Sequence, residues 1–221
     1  MIGIVAALGA EARTLGRTEG IDVRVSGIGL DAASRAARSL ADAGVSALIS
    51  WGVAGGLDPA LRPGAIVLPV AVIADDGRRY PTAAPWRERQ AALLGPLPRP
   101  CSGELLSRAA ALDGAAAKAR AFRATGAVAV DMESLAIAAV ASERGLPFLA
   151  LRVIVDAAAD ELPRAVIAAS AGGGLRFGPL AAGLLRSPPE IAALWRLARR
   201  FGIARGRLGQ IARAGLAAPS P

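Results

Sequence analysis

The sequence predicts an α/β fold, a three-layer α/β/α sandwich around a mostly parallel or mixed central sheet. Three observations carry this. Short apolar runs recur along the chain, at residues 2–8, 47–51 and 147–155. Alanine-rich segments of helical character separate them. The runs lead into glycines or a lone acid rather than into alternating polar residues. A strand buried on both faces reads as a near-continuous apolar run, and strands alternating with helices imply a sheet covered on both sides. A chain of 221 residues suits one domain over 1–221 with a substantial core.

Taken in order, residues 2–8 read as a first, buried strand. They lack the basic flank of a signal peptide. Gly9-Ala10-Glu11-Ala12-Arg13 turns into a short helix. Residues 21–25 alternate and read as a strand. Ser26-Gly27-Ile28-Gly29 leads into an alanine-rich helix that ends near Gly44. Residues 47–51 form the next strand, which runs into Gly52-Val53-Ala54-Gly55-Gly56-Leu57. Pro63-Gly64 marks a turn, and 65–74 reads as one long apolar strand. Residues 75–100 are polar and proline-rich and read as a loop. Residues 105–121 read as mostly helical. Val128-Ala129-Val130-Asp131-Met132-Glu133 then joins an apolar run to a helix that meets no breaker until Gly145. The strand at 147–155 ends on Asp156. Residues 157–189 read as loops and short helices around Gly172-Gly173-Gly174. Residues 190–214 read as a basic amphipathic helix, and 217–221 as a disordered end.

Composition excludes several chemistries. The chain has no histidine and one cysteine, Cys101. A Ser-His-Asp triad, histidine metal ligands and an internal disulfide are therefore excluded, and acid–base work falls to Asp, Glu, Lys, Tyr or water. No apolar run approaches the ~18 residues of a membrane span. The formal charge of +8, almost all of it arginine, suits an anionic partner. It equally suits a coding bias toward arginine and alanine.

In open α/β sheets ligands sit beyond the carboxyl ends of the strands. Asp156 is placed there, and the helix carrying Glu133 begins at a neighbouring strand end. Two acids converging from separate elements suit acid catalysis on a polar small molecule. Glu11, after the first strand, is a candidate base in the same crevice. Asp131 reads as a helix cap. Ser26-Gly27-Ile28-Gly29-Leu30-Asp31-Ala32 fits a loose dinucleotide fingerprint, but the following strand ends without the acid that would hold a ribose. The Gly52–Gly56 stretch brings backbone close either to a ligand or to a packing neighbour.

Four stretches in order resemble the nucleoside phosphorylase and nucleosidase superfamily, especially the methylthioadenosine/adenosylhomocysteine nucleosidases. They are Gly3-Ile4-Val5-Ala6-Ala7-Leu8-Gly9-Ala10-Glu11, then Ser26-Gly27-Ile28-Gly29, then Gly52-Val53-Ala54-Gly55-Gly56-Leu57 with Pro63-Gly64-Ala65-Ile66-Val67. The last is Ala129-Val130-Asp131-Met132-Glu133-Ser134 with Arg152-Val153-Ile154-Val155-Asp156. Ser50 to Pro59 and the tail with Leu194-Trp195-Arg196 look most like the hopanoid-associated phosphorylases, which release adenine from adenosylhopane. The resemblance implies Asp156 as the acid at adenine N7 and Glu11 as activator of the attacking water. It implies Glu133 on the ribose 2′- and 3′-hydroxyls, Met132 against the sugar, and Val53 and Gly55 at the substrate. Arg152 matches an arginine that supports the site. Phosphorolytic members carry Ser or Thr where Val53 stands and often Arg where Ser50 stands, so these residues lean toward hydrolysis; Arg13 is the candidate for part of a phosphate site. The adenine loop is expected near Ser102-Gly103-Glu104-Leu105.

The expected activity is thus cleavage of the N-glycosidic bond of an adenine nucleoside, with adenosylhopane first. Methylthioadenosine/adenosylhomocysteine nucleosidase and general purine nucleoside phosphorylase are alternatives. A non-enzymatic lipid- or nucleic-acid-binding module is the alternative of another class. No metal or organic cofactor is expected, with phosphate as a conceivable co-substrate. No nucleic-acid partner is expected. A cytoplasmic homo-oligomer is expected, with a peripheral contact to the inner membrane through 190–214. There Ile191, Leu194, Trp195, Ala198 and Phe201 fall on one helical face beside Arg196, Arg199, Arg200 and Arg207. The competing expectation is that this stripe packs on the sheet as an ordinary core helix.

Overall fold

The computed structural model describes residues 1–112, 114–161 and 188–219. Among these, nine strands form one mixed sheet with helices on both faces. Strand β1 (Ile2–Ala6) lies parallel between β2 (Ile21–Val25) and β3 (Ala47–Gly56). On its other side β3 runs parallel to β9 (Phe148–Asp156) from Leu48 onward. At its end, Gly55 and Gly56 pair antiparallel with β8 (Ala129–Asp131). Beyond β8 the order continues through β7 (Leu105–Ser107) and β5 (Ala71–Ile73) to β6 (Arg79–Pro81), while β4 (Ile66–Val67) pairs with β9. All nine residues of β9 are buried, as its unbroken apolar run requires.

Helices α2 (Leu30–Asp42) and α5 (Ser134–Glu143) pack against each other and cover one face. The other face is covered by α1 (Gly9–Ala12) with the 3₁₀ turn Arg13–Leu15, by α3 (Ala84–Leu93) and by α6 (Pro188–Ala214). Helix α4 (Gly114–Thr125) packs at the β7–β8 end of the sheet. No helix among the described residues is long and apolar enough to cross a membrane.

Four expectations are corrected. The run at 65–74 is two strands rather than one. Pro69 has no N–H for a ladder, and β4 and β5 on either side of it pair with different neighbours. Residues 75–100 contain β6 and α3, because Trp86 and Gln90 give that segment a buried face. Residues 105–121 begin as a strand: Leu105 and Leu106 are fully buried between β5 and β8, and the helix starts only at Gly114. The chain end is ordered at Ala217, whose carbonyl accepts from Trp86 Nε1 at 2.6 Å and whose N–H donates to Gln90 Oε1 at 2.9 Å. The Gly172-Gly173-Gly174 expectation lies outside the described residues.

Helix α6 survives Gly202, Gly206 and Gly209, because tertiary packing offsets their low propensity. Ala204, Leu208 and Ile211 are fully buried against the sheet, contributing roughly 1.5–3 kcal/mol for each large side chain. The expected stripe divides. Leu194 and Phe201 turn inward together with Leu197, Ala198 borders the cavity while exposed, and Trp195, one position round the helix from Leu194, is 73% exposed. The Ile191 side chain lies outside the described residues.

Candidate active site

The site forms where β1, β3, β8 and β9 end. The ends of β1, β8 and β9 each contribute carboxylate, and β3 contributes a backbone N–H. After β1, the short turn of α1 points Glu11 back under its own start, where Leu8 N–H donates to Oε2 at 2.9 Å. Its Oε1 accepts the Val53 N–H of β3, also at 2.9 Å. That N–H is therefore held by a carboxylate and is not a bare oxyanion donor. A Cβ on Gly52 would sit 2.6 Å from both Glu11 Oε1 and Arg152 Nη1. Glycine there is required by close packing, and the close packing is what seats the acid.

At the end of β8, Asp131 takes a double role. One oxygen accepts the backbone N–H groups of Glu133 (3.4 Å) and Ser134 (3.3 Å), so the capping expectation is part of the answer. The other oxygen takes Arg152 Nε at 2.8 Å and Nη2 at 2.7 Å, along with the Ser134 hydroxyl. Arg152 Nη2 also donates to Ser50 Oγ at 2.6 Å and Ser134 Oγ at 3.0 Å. Burial by itself would lower the guanidinium's pKa. The charges of Asp131, Glu133 and Glu11 outweigh it and raise it. Arg152 is thus consumed beneath the carboxylates and does not line the cavity. Its Nε and Nη2 are engaged by Asp131 and the two serines, which is the arrangement of a residue that supports the site from below.

Glu133 is fixed by the Gly29 N–H, which donates to Oε1 at 3.0 Å. Gly29 sits at φ +104, a conformation that glycine adopts at little cost. The Ser26–Gly29 turn therefore serves the site by orienting a carboxylate. Burial first, and then the charge of Asp131, push the Glu133 carboxyl up to about 7, against the pull of Arg152 and the Gly29 hydrogen bond. Burial likewise raises Glu11, opposed by Arg152 and its backbone donors.

Asp156 ends β9 with 3% exposure. Burial raises its carboxyl, opposed chiefly by Lys118, whose ammonium contacts Oδ2. Across from it, a Cβ on Gly55 would lie 3.3 Å from Oδ2, so glycine leaves the acid its room.

Together these elements enclose a cavity of about 440 Å³. Glu11, Glu133 and Asp156 reach it, as do Met132, Val53 and Gly55. The rest of its wall is largely apolar, with Leu194, Leu197 and Phe201 of α6 on one side. Arg13 is exposed on the 3₁₀ turn and does not line the cavity. Nor does the expected adenine loop: Glu104 pairs with Arg79 at 2.6 Å and Leu105 is buried in β7. Ala111 and Leu112, beyond β7, line the cavity instead.

A sequence model of the Phosphorylase superfamily matches residues 21–172. The chain belongs to this superfamily. No curated protein sequence matches the chain. Solved structures with the superfamily fold superimpose over most of their length. The methylthioadenosine/adenosylhomocysteine nucleosidase of Neisseria meningitidis, in complex with methylthio-immucillin-A, is 17% identical, with 96% of each chain covered and a TM-score of 0.74. The adenosylhomocysteine nucleosidase of Streptococcus pyogenes, in complex with 5-methylthiotubericidin, is 18% identical, covering 96% of this chain and 94% of that one at a TM-score of 0.73. Futalosine hydrolase of Helicobacter pylori is 16% identical, covering 96% and 95% at 0.72. At such identities the likeness bears on fold, and the phosphorylase-superfamily sheet is what these chains share.

Sequence reasoning missed two features of this superfamily member's site. Ser50 and Ser134 are buried and bridge Arg152, with 2.9 Å between their hydroxyls. Lys118 was also missed, although composition held a signal for it: it is the chain's one lysine among 26 basic residues.

Proposed function

We propose that this superfamily member hydrolyses the N-glycosidic bond of an adenine nucleoside, with adenosylhopane as the substrate and free adenine as a product. The observation that carries the reading is the convergence of Glu11, Glu133 and Asp156, from three strand ends, on one largely apolar cavity. Adenine leaves poorly as an anion. Asp156, a buried acid, donates a proton to N7 as the C1′–N9 bond breaks, an effect worth roughly 10²- to 10⁴-fold. The sugar becomes oxocarbenium-like, as in glycoside hydrolysis. Glu133 grips the 2′- and 3′-hydroxyls, and Met132 packs against the ring. Glu11 takes the proton of the attacking water.

Water is favoured as nucleophile because Arg152 is already paired beneath the site and Arg13 stands off it. The apolar α6 wall, Leu194, Leu197 and Phe201, suits an apolar 5′ substituent. The two nucleosidases among the structural relatives agree with the reaction class. The test is to incubate the protein with adenosine, methylthioadenosine and adenosylhopane, with and without millimolar phosphate, and to measure adenine and the sugar product. The expected result is adenine plus an unphosphorylated sugar, fastest with adenosylhopane. No adenine from any of them overturns the reading. A sugar 1-phosphate as main product overturns water as nucleophile.

A further inference from the structure

Lys118 sits on α4, its side chain 1% exposed, and its Nζ meets three oxygens. These are Asp156 Oδ2, the Ala157 carbonyl at 2.9 Å and the Asp160 carbonyl at 3.0 Å. Three acceptors around one nitrogen match the three N–H donors of an ammonium. A neutral amine would turn a lone pair onto one of those oxygens. A guanidinium spreads its donors over a planar fork, with at most two N–H on any nitrogen, and cannot donate three bonds from one atom. In a chain whose other basic residues are all arginine, lysine stands where only lysine fits.

We infer that Lys118 is a positioning residue for the acid: its ammonium holds Oδ2 of Asp156, confines the transferable proton to Oδ1, and stabilises the carboxylate that remains once the proton has gone. This rests on the reading of Asp156 as the acid at N7. In the step, the Oδ1–H bond breaks and an N7–H bond forms. The C1′–N9 pair moves into the adenine ring, water bonds to C1′, and the water's proton passes to Glu11. The negative charge that appears on Asp156 meets a cation already in place, which is how preorganised charge lowers a barrier. The other charged groups facing this pair are few among the described residues. Asp160 is held by Arg200 of α6 at 2.7 Å and by the Ala157 N–H at 2.7 Å. Glu11, Glu133 and, on β8, Asp131 share the cavity wall with Asp156; Asp131 is paired with Arg152, and β3 presents only the uncharged Val53, Ala54 and Gly55.

The experiment compares the parent with Lys118→Met and Lys118→Arg on a nucleoside the parent cleaves, across pH. Loss of the cation raises the Asp156 carboxyl. In Lys118→Met the alkaline limb of kcat therefore moves up by a pH unit or more while maximal kcat falls about 10²-fold. Lys118→Arg keeps the parent's limb and loses kcat. A Met variant with the parent's limb, or with kcat within threefold of the parent, overturns the inference. Carboxyl ¹³C NMR of Asp156 in the ligand-free protein, assigned with Asp156→Asn, gives a readout independent of turnover. Its midpoint is expected to rise in Lys118→Met, and an unmoved midpoint overturns the pairing. A parent that releases no adenine overturns the nucleosidase reading, and with it the catalytic role of Lys118, whatever the NMR midpoint does. An active parent whose Met variant is unchanged overturns the Lys118 role alone.

Discussion

At the scale of single residues, the site is a set of buried acids kept apart in role by their surroundings. Asp156 faces an ammonium, Glu11 two backbone N–H groups, and Glu133 one backbone N–H and a distant guanidinium at 3.9 Å. Asp156→Asn keeps the shape and removes the acid. Adenine release is expected to fall by at least 10²-fold with an unchanged circular dichroism spectrum; activity within tenfold of the parent would reject the assignment. Glu133 is useful to a ribose only as a carboxylate. With its pKa near 7, kcat/KM of the parent should climb as pH rises through that value. Glu133→Gln should lose this limb. It should also lose more on ribosides than on 2′-deoxyribosides, which have already given up one of the two hydroxyls. Equal losses on both substrates, with the limb retained, would count against a ribose-gripping role.

At the scale of elements, α6 is the part with two jobs. Its C-terminal half is core, with Ala204, Leu208 and Ile211 buried. Its N-terminal half walls the cavity with Leu194, Leu197 and Phe201 while exposing Trp195, Arg196 and Arg199. An aromatic beside exposed arginines is the pattern of an interfacial contact, and each arginine near an anionic surface adds about 1 kcal/mol, fading with salt. We propose that this half meets an anionic bilayer. Arg200 is a poor probe, since it pairs with Asp160. Arg196 and Arg199 changed together to Glu, with Arg200 kept, should lose co-sedimentation with anionic vesicles at low salt while adenine release from methylthioadenosine persists. A parent that stays in the supernatant, or a double variant that binds as well, leaves α6 as a core helix and cavity wall.

At the scale of the whole molecule, the three cavity carboxyls tie stability to pH. Glu11, Glu133 and Asp156 all have raised pKa values, so in this range the folded chain binds more protons than the unfolded one. Their contribution to stability is complete below the ordinary carboxylate range and is lost as pH rises through it, up to about 7 for Glu133. The ligand-free parent should therefore lose more Tm between pH 5 and pH 8 than Glu133→Gln does, measured by thermal unfolding of both. A parent whose Tm changes no more than the variant's would mean that Glu133 carries no such strain. The fold tolerates the cost because β9 and β3 bury apolar runs on both faces around the site.

The α/β layering, the strand ends at Gly52–Gly56 and Asp156, and the acids Glu11, Glu133 and Asp156 could be read from the sequence. Apolar period and strand-end chemistry are local properties, written within a few residues of one another. The division of 65–74 into two strands, the strand at Leu105–Ser107 and the anchoring of Ala217 by Trp86 could not be read this way. Each depends on which neighbour a segment meets, and that neighbour lies far along the chain. The same holds at the site. The sequence reads Asp131 as a cap and Arg152 as a support, and only the tertiary structure shows that the two are buried together as an ion pair at the cavity floor. Lys118 lies 38 residues before Asp156, with nothing local to mark it. The fold alone brings its ammonium to Oδ2, because a buried charge must find its counter-charge wherever in the chain that charge lies.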